Sequence, residues 1–217
     1  MSHVFIIGAT GGVGQRLIPM LLDRGHRVSG LHRKPEQADD LRAAGATPVA
    51  GDLMEMDEAA MTEALKGVDA VVFSAGAAGS GQDRATVIDG DGPIKVLAAA
   101  RANGIRRLLV VSVFPDAGRT KDLGEGFEHY MTQKKRADVA IAQSDLDWVL
   151  LRPGTLKDDE GDGRVTLGRA VAYGDVARGH VAGVLAALID MPDLRQEVLE
   201  LTDGDTAIPQ AVAALVR

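Results

Sequence analysis

A tyrosine and a lysine four residues apart form the pattern in this chain that most directly suggests catalysis. Tyr130 and Lys134 fall in a stretch with helical spacing, so one helical turn would place both side chains on the same face. A phenol can protonate a carbonyl oxygen when a neighbouring cation lowers the phenol pKa toward neutrality. Ser112 ends a β-branched run and could orient the same oxygen. The three residues predict chemistry on a carbonyl, and the alternative is an ordinary amphipathic surface helix.

The N-terminal segment has the pattern of a nucleotide-binding turn. The apolar run 4–7 leads into glycines spaced three apart, and apolar residues at helical spacing follow. Glycine permits a sharp turn from strand to helix and a close approach of the backbone to a pyrophosphate, while the helix N-terminus offers free N–H groups. The alternative is a turn that binds nothing. The residues predicted to bind a dinucleotide here are Gly8, Thr10, Gly11, Gly12, Val13 and Gly14.

Basic residues follow the second predicted strand, where the type of dinucleotide is selected. NAD-binding units carry a carboxylate there for the ribose 2′-hydroxyl, whereas a 2′-phosphate needs positive charge. This chain has His32, Arg33 and Lys34 and no acid, and Arg33 lies nineteen positions beyond Gly14. A guanidinium matches phosphate geometry, so Arg33 takes the main role and His32 or Lys34 an accessory one. We expect NADP(H) to be preferred over NAD(H); the alternative is a solvated basic turn.

Composition excludes several classes of function. The chain has 217 residues, a net charge of −7 and a pI near 5.2, which argue against nucleic acid as a partner. It has no cysteine, and its five histidines show no metal-ligand spacing, so we expect no metal site. A strand begins within four residues and no apolar run has the length of a membrane span, which leads us to expect a soluble cytoplasmic protein without a signal peptide.

Short apolar runs alternate with longer amphipathic stretches, which predicts repeated βα units. We expect an α/β fold with a doubly wound parallel sheet, the Rossmann fold, in a single domain over residues 1–217. Residues 1–112 would form the cofactor half and residues 113–217 a small elaboration on the substrate side. The expected strand order is 3-2-1-4-5-6. The predicted strands are 4–7, 27–31, Thr47–Ala50, 70–74, 108–112 and 148–151.

The pattern weakens beyond Pro153. Residues 157–164 are polar and contain glycine, so we expect a surface loop. We then expect a short strand near residues 169–172, a helix from Gly174 or Asp175 to residue 190, a strand at 198–201 and a closing helix that runs to Arg217.

The spacing G-x-x-G-x-x-G, the order of Ser112, Tyr130 and Lys134, and the run Leu151-Arg152-Pro153-Gly154-Thr155 resemble the short-chain dehydrogenase/reductase superfamily. Within it, the chain looks most like the small atypical branch of NmrA-like and flavin-reductase-like NAD(P)H-binding proteins. The resemblance covers essentially the whole chain. The asparagine that often completes a catalytic tetrad is not evident, and Asp89 or Asn103 are the nearest polar residues.

The resemblance implies roles for further residues. Lys134 would both tune the phenol and hold the nicotinamide ribose. Segments 114–127 and 157–164 would cover the substrate. The adenine ring and its ribose would lie against Asp52, Leu53, Ser74, Ala75 and Gly76, and the nicotinamide against Pro153, Gly154 and Thr155.

Two functions from different classes follow. The first is an NADP(H)-dependent oxidoreductase that acts on a small carbonyl, quinone-like or flavin-like molecule, as a monomer or homodimer. The second is a non-catalytic NADP(H)-binding module that senses redox state. A sugar-nucleotide epimerase or dehydratase is less favoured, since such enzymes usually devote a larger C-terminal region to the nucleotide sugar.

Overall fold

The computed structural model describes residues 1–115, 117–118 and 121–216. A nine-stranded sheet runs through the molecule, and a two-stranded sheet lies beside it. The strands are β1 (His3–Ile7), β2 (Arg27–His32), β3 (Thr47–Ala50), β4 (Ala70–Phe73), β5 (Arg107–Val111), β6 (Asp147–Pro153), β7 (Thr155–Lys157), β8 (Arg164–Gly168), β9 (Asp175–Ala177), β10 (Glu197–Asp203) and β11 (Thr206–Ala207).

Helices connect these strands. A π-helical segment, Ala85–Asp91, joins α4 to α5 without a break. The α-helices are α1 (Gly12–Asp23), α2 (Pro35–Ala43), α3 (Glu58–Ala64), α4 (Gln82–Arg84), α5 (Gly92–Ala102), α6 (Gly124–Ala142), α7 (Arg178–Ile189) and α8 (Ile208–Ala213). No helix in the described ranges combines the length and the apolar character needed to cross a membrane.

The large sheet confirms the predicted Rossmann fold. Its order is β11-β8-β10-β6-β5-β4-β1-β2-β3, which contains the expected 3-2-1-4-5-6 arrangement, and the first six strands pair in parallel. Each of these strands lies within two residues of its predicted bounds. The apolar runs in the central strands β1, β4 and β5 were a reliable signal, because strands covered on both faces are largely apolar.

The alternation of side chains along the strands builds one core on each face of the sheet. In β1, Val4 and Ile6 face the core formed with α1 and α7, while Phe5 and Ile7 face the core formed with α3, α5 and α6. Helices cover both faces of the sheet, and in such folds ligands bind in the crevice at the carboxyl edge of the strands.

The C-terminal third corrects two predictions. No strand forms at residues 169–172; the strand is β8, which pairs antiparallel with β10. The run Arg164-Val-Thr-Leu alternates polar and apolar residues and carries the period-2 signal, whereas Arg169 instead turns its guanidinium to the carboxylate of Glu197. The strand predicted at 198–201 is confirmed as the longer β10.

The last helices are shorter than predicted. The helix expected from Gly174 or Asp175 begins only at Arg178, because β9 first pairs with β7 in the small sheet. The polar loop is confirmed for residues 158–163, while the ends of the predicted segment join β7 and β8. The closing helix α8 ends at Ala213, and Arg217 lies outside the described residues.

Arg107 is a buried cation that anchors the end of α7. Its guanidinium donates to the carbonyl oxygens of Leu188 at 2.6 Å, Met191 at 3.2 Å and Leu194 at 2.7 Å. These carbonyls lie at the helix C-terminus and just beyond it, where a positive charge is favourable. Burial nevertheless lowers the pKa of Arg107 to about 10.

We expect Arg107→Ala to lower the free energy of unfolding by about 2–4 kcal/mol, because buried carbonyls lose their donors and a cavity remains. Urea unfolding would measure the change. Arg106→Ala is the matched control, since the neighbouring Arg106 is exposed and pairs with Asp147 at the surface; its effect should be much smaller. Equal effects of the two substitutions would contradict the anchoring role.

Candidate active site

A cavity of about 840 Å³ opens at the carboxyl ends of β1, β2, β4 and β5. The chain crosses from one side of β1 to the other here, since β2 and β4 flank β1, so the loops diverge and leave a crevice. The volume suits a small-molecule ligand. The predicted residues that line it are Gly8, Thr10, Gly11, Gly12, Val13, Arg33, Asp52, Leu53, Ser74, Ala75, Gly76, Ser112, Tyr130 and Lys134.

The glycine turn, residues 8–14, is built too tightly for side chains. Gly8 has φ +91°, and a Cβ added there would lie 2.5 Å from the amide nitrogen of Ala75. The N–H of Gly11 donates to the carbonyl of Gly8 at 3.0 Å and closes the turn. Gly14 does not line the cavity; a Cβ there would overlap the carbonyl oxygen of Gly8, so this glycine lets α1 pack on β1. A turn this bare, next to a helix N-terminus, fits a pyrophosphate.

The structure separates the three basic residues after β2. Arg33 is exposed and lines the cavity. His32 is buried, and its Nδ1 lies 3.0 Å from the carbonyl oxygen of Lys34. Lys34 is the N-cap residue that precedes α2, and its Nζ lies 4.0 Å from Glu36. The accessory role predicted for His32 and Lys34 is therefore not supported, because neither lines the cavity.

Gln37 is a site residue that sequence reasoning missed. Its Oε1 accepts from the backbone N–H groups of Arg33 at 3.1 Å and Lys34 at 2.9 Å, and its Nε2 donates to Thr10 Oγ1 at 3.2 Å. Gln37 thus ties the loop after β2 to the glycine turn and holds Arg33 at the cavity. Its place in the first turn of α2 is a capping signal that the sequence does carry.

The residues expected to hold the adenosine line the cavity, and their side chains also make local contacts that are common in turns. Asp52 Oδ1 accepts from the N–H of Met54 at 2.9 Å, and Ser74 Oγ lies 3.3 Å from the carbonyl oxygen of Ile7. Asp52 follows β3 and Ser74 follows β4, so both sit on the crevice edge of the sheet.

Ser112, Tyr130 and Lys134 meet at the far end of the same cavity. Lys134 is buried, and its Nζ donates to the carbonyl oxygen of Val111 at 2.8 Å. The Ser112 Oγ is buried and has no hydrogen-bond partner among the described residues. An unpartnered buried hydroxyl is costly, so this atom is poised for a group that enters the cavity.

Asp89 Oδ1 is a second buried atom of this cluster without a hydrogen-bond partner among the described residues. Asp89 is 1% exposed, its Oδ2 accepts from the N–H of Ala77 at 3.1 Å, and its Oδ1 lies 3.9 Å from Lys134 Nζ without a hydrogen bond. Burial raises the pKa of Asp89, and the charge of Lys134 partly opposes the rise. Asp89 occupies the π-helical segment, a distortion that is frequent at functional sites. Asn103 lies elsewhere and donates to the carbonyls of Thr62 and Ala99.

The pKa of Tyr130 moves opposite to the expectation. Burial raises it, and the carboxylates of Asp89 and Asp138 raise it further. Burial also lowers the pKa of Lys134, although the same two carboxylates partly offset this. The lowering of the phenol pKa that was expected from Lys134 is not seen in this arrangement, where burial and the two carboxylates raise that pKa. The phenol stays protonated near neutral pH and can act as a proton donor.

The residues expected beside the nicotinamide do not line the cavity. Gly154 donates its N–H to the carbonyl of Leu201 at 2.8 Å, and the hydroxyl of Thr155 lies 2.7 Å from that of Tyr173. Pro153 is buried at the end of β6. These residues connect the two sheets. The cavity wall on this side is formed instead by Leu156 and Arg178.

The two segments predicted to cover the substrate have different positions. In 114–127, Gly126 and Phe127 line the cavity, while Phe114 packs edge-on against Tyr173. Residues 116, 119 and 120 of that segment lie outside the described residues. The loop 158–163 lies over the N-termini of α1 and α7 and pairs with Arg16.

Known proteins share this architecture. The model of a family described as NAD(P)H-binding matches residues 8–192. The Bacillus subtilis protein named "Uncharacterized sugar epimerase YhfK" is 36% identical over 214 residues, which are 98% of this chain and 99% of that protein. A candidate NAD-dependent epimerase/dehydratase from Bacillus halodurans superposes with a TM-score of 0.89 at 32% identity, over 99% of this chain and 100% of that one. The anaerobillin reductase ChuY from Escherichia coli O157:H7 gives 0.78 at 25% identity, over 94% and 98%.

Proposed function

The chain belongs to the NAD(P)H-binding family, with the Rossmann fold of an atypical short-chain dehydrogenase/reductase, and from this premise we propose that it is an NADPH-dependent oxidoreductase. Its substrate would be a small carbonyl, quinone-like or flavin-like acceptor. One observation carries the proposal: a single cavity joins the glycine turn to Ser112, Tyr130 and Lys134. A dinucleotide bound along the glycine turn would reach this cluster. Among the described residues that line the cavity, only this cluster contains buried side-chain atoms without a hydrogen-bond partner, Ser112 Oγ and Asp89 Oδ1.

Tyr130, Ser112 and Lys134 would have different roles in the reaction. NADPH, when bound, would supply the hydride. Burial raises the pKa of Tyr130, which makes the phenol a weaker acid, but an alkoxide is a stronger base than a phenolate, so Tyr130 would still donate its proton as negative charge develops on the acceptor oxygen. Ser112 Oγ, free of other partners, donates a hydrogen bond to the same oxygen. Lys134, held by the Val111 carbonyl, supplies positive charge to the site.

The apolar part of the lining supports the class of acceptor. Ile88, Phe127 and Leu156 line the cavity that must also hold the dinucleotide. Apolar walls favour a flat conjugated molecule over a highly hydroxylated sugar nucleotide, whose hydroxyls would need partners. The relative named as a reductase supports this choice, and the relative named as a sugar epimerase supports epimerisation as a second candidate.

The test is a screen of aldehydes, ketones, quinones and flavins with NADPH oxidation as the readout, run beside an epimerisation assay on nucleotide sugars. We expect oxidation with at least one conjugated acceptor and no epimerised sugar. Dinucleotide binding without turnover in any assay would favour the non-catalytic redox-sensing module, and sugar epimerisation alone would favour the second candidate.

We expect Arg33→Ala to weaken NADPH binding by about 1.5–3 kcal/mol and leave NADH binding nearly unchanged, because only NADPH carries the 2′-phosphate that the guanidinium would bind. Calorimetric titration of both nucleotides would measure the change. Lys34→Ala is the matched control, since this neighbouring cation lies outside the cavity and its loss should alter neither affinity. An equal loss for both nucleotides in Arg33→Ala would refute the assignment.

A further inference from the structure

Arg178, the first residue of α7, lies against the first residue of α1. It lines the cavity, and a Cβ added to Gly12 would stand 2.6 Å from its Cδ and 3.0 Å from its Nε. Arg16 reaches the same point from one turn further along α1, where its Nη1 donates to the carbonyl of Gly12 at 2.8 Å. The N-terminus of a helix is itself positive, so a cation placed there is unfavourable unless an anion lies between them.

The guanidinium groups of Arg16 and Arg178 differ in their hydrogen bonds and ion pairs. Arg16 donates to Glu160 at 2.7 Å and lies 3.2 Å from Asp158, besides its bond to Gly12. The guanidinium of Arg178 makes no hydrogen bond within the described part of the chain, and the carboxylate that pairs with it, Asp158, is 3.8 Å away. Arg178 therefore keeps its planar set of donors available at the cavity wall.

The loop 158–163, which carries Asp158, is held in place by contacts with the start of α7. The N–H of Gly179 donates to the carbonyl of Asp159 at 3.0 Å, and a Cβ on Gly179 would overlap the carbonyl oxygen of Glu160. His180 Nε2 accepts from the N–H of Gly163 at 2.9 Å. The loop thus sits on the first turn of α7. Asp158 itself is 78% exposed, so its ion pairs contribute little and can be exchanged.

We infer that Arg178 binds the pyrophosphate of the dinucleotide and that Asp158 is the counter-charge it gives up on binding. This inference rests on dinucleotide binding in the cavity, the premise of the proposed function. A diphosphate at Gly12 brings two negative charges to a guanidinium with free donors, and a planar fork suits phosphate oxygens. The carboxylate of Asp158 competes for the same guanidinium, so it lowers the affinity for dinucleotide and links binding to the loop 158–163.

The experiment is calorimetric titration of NADPH and NADH with the full chain. Arg178→Gln should weaken both nucleotides by the same factor, about tenfold, because both carry the pyrophosphate; this distinguishes it from Arg33→Ala. Arg178→Lys, which keeps the charge without the fork, should lie between. Asp158→Asn should tighten binding severalfold, whereas Glu160→Gln, which removes a carboxylate that pairs with Arg16 alone, should change it little.

The double variant, Arg178→Gln with Asp158→Asn, tests whether Asp158 affects binding through Arg178. If Asp158 acts through Arg178, the gain from Asp158→Asn should shrink when Arg178 is already Gln. Unchanged affinity in folded Arg178→Gln would overturn the inference and leave the proposed function intact. Should Arg178→Gln fail to fold, equal affinities of Asp158→Asn and wild type would overturn it as well. A wild-type chain that bound neither nucleotide would overturn both.

Discussion

Tyr130→Phe should lower the turnover of the best acceptor by roughly 10² to 10⁴, the usual contribution of a positioned general acid, while NADPH affinity changes little. The substitution removes one hydroxyl and keeps the ring, which packs beside Phe127 with centroids 6.1 Å apart. Because burial and two carboxylates raise the phenol pKa, the hydroxyl holds its proton through the neutral range. We therefore expect no fall in turnover from ionisation of this phenol as pH rises through 8. Steady-state NADPH oxidation measures both quantities.

The other tyrosine of the chain provides the matched control. Tyr173 is 48% exposed, and its hydroxyl lies near Thr155, outside the cavity, so Tyr173→Phe should leave turnover unchanged. Lys134→Ala should impair turnover and NADPH affinity together, since this cation lies at the reacting end of the cavity. If Tyr130→Phe kept full turnover on every acceptor, no phenol proton would be needed, and the binding module would become the better proposal.

The sequence predicted the parallel sheet and the chemical cluster because both depend on local signals. Continuous apolar runs mark strands buried on both faces, and the four-residue spacing of Tyr130 and Lys134 survives as one face of α6. Ser112 follows β5 directly, so the strand end alone fixes its place at the carboxyl edge.

Positions that depend on distant contacts were not predictable in this way. The Gln37 amide ties the loop that carries Arg33 to the glycine turn, a contact between segments far apart in sequence. The sequence left Asp89 and Asn103 as alternatives, and only the burial of Asp89 beside Lys134 distinguishes them.

The predictions for the C-terminal third that the structure corrected also depended on contacts between distant segments. Residues 153–155 are drawn away from the cavity because β7 pairs with β9, a contact between short segments with no strong pattern of their own. That pairing also delays the start of α7 and brings Arg178 to the cavity wall. Local periodicity carries no information on such a pairing.

Gly11→Val should reduce the affinity for NADPH and NADH at least about 100-fold, because the side chain would occupy the space where the pyrophosphate approaches the backbone. We expect the chain to fold with a small local shift at this turn. Gly11 precedes α1 with φ −83°, and a Cβ added there meets only the carbonyl oxygen of Gly8, at 3.2 Å. The loss of a glycine N-cap should cost about 1 kcal/mol of stability. Calorimetry and a thermal melt measure the two effects separately.

Gly14→Val and Gly126→Val are comparison variants for Gly11→Val. A Cβ at Gly14 would overlap the carbonyl oxygen of Gly8, so that variant should lose stability along with binding. Gly126 lines the same cavity from α6 with no atom within 4 Å of an added Cβ, so its variant should retain pyrophosphate binding. The three variants separate a blocked phosphate site from a broken turn and from a crowded cavity. Near-normal nucleotide affinity in folded Gly11→Val would mean that the dinucleotide does not lie on the glycine turn, and the assignments of Arg33 and Arg178 would fail with it.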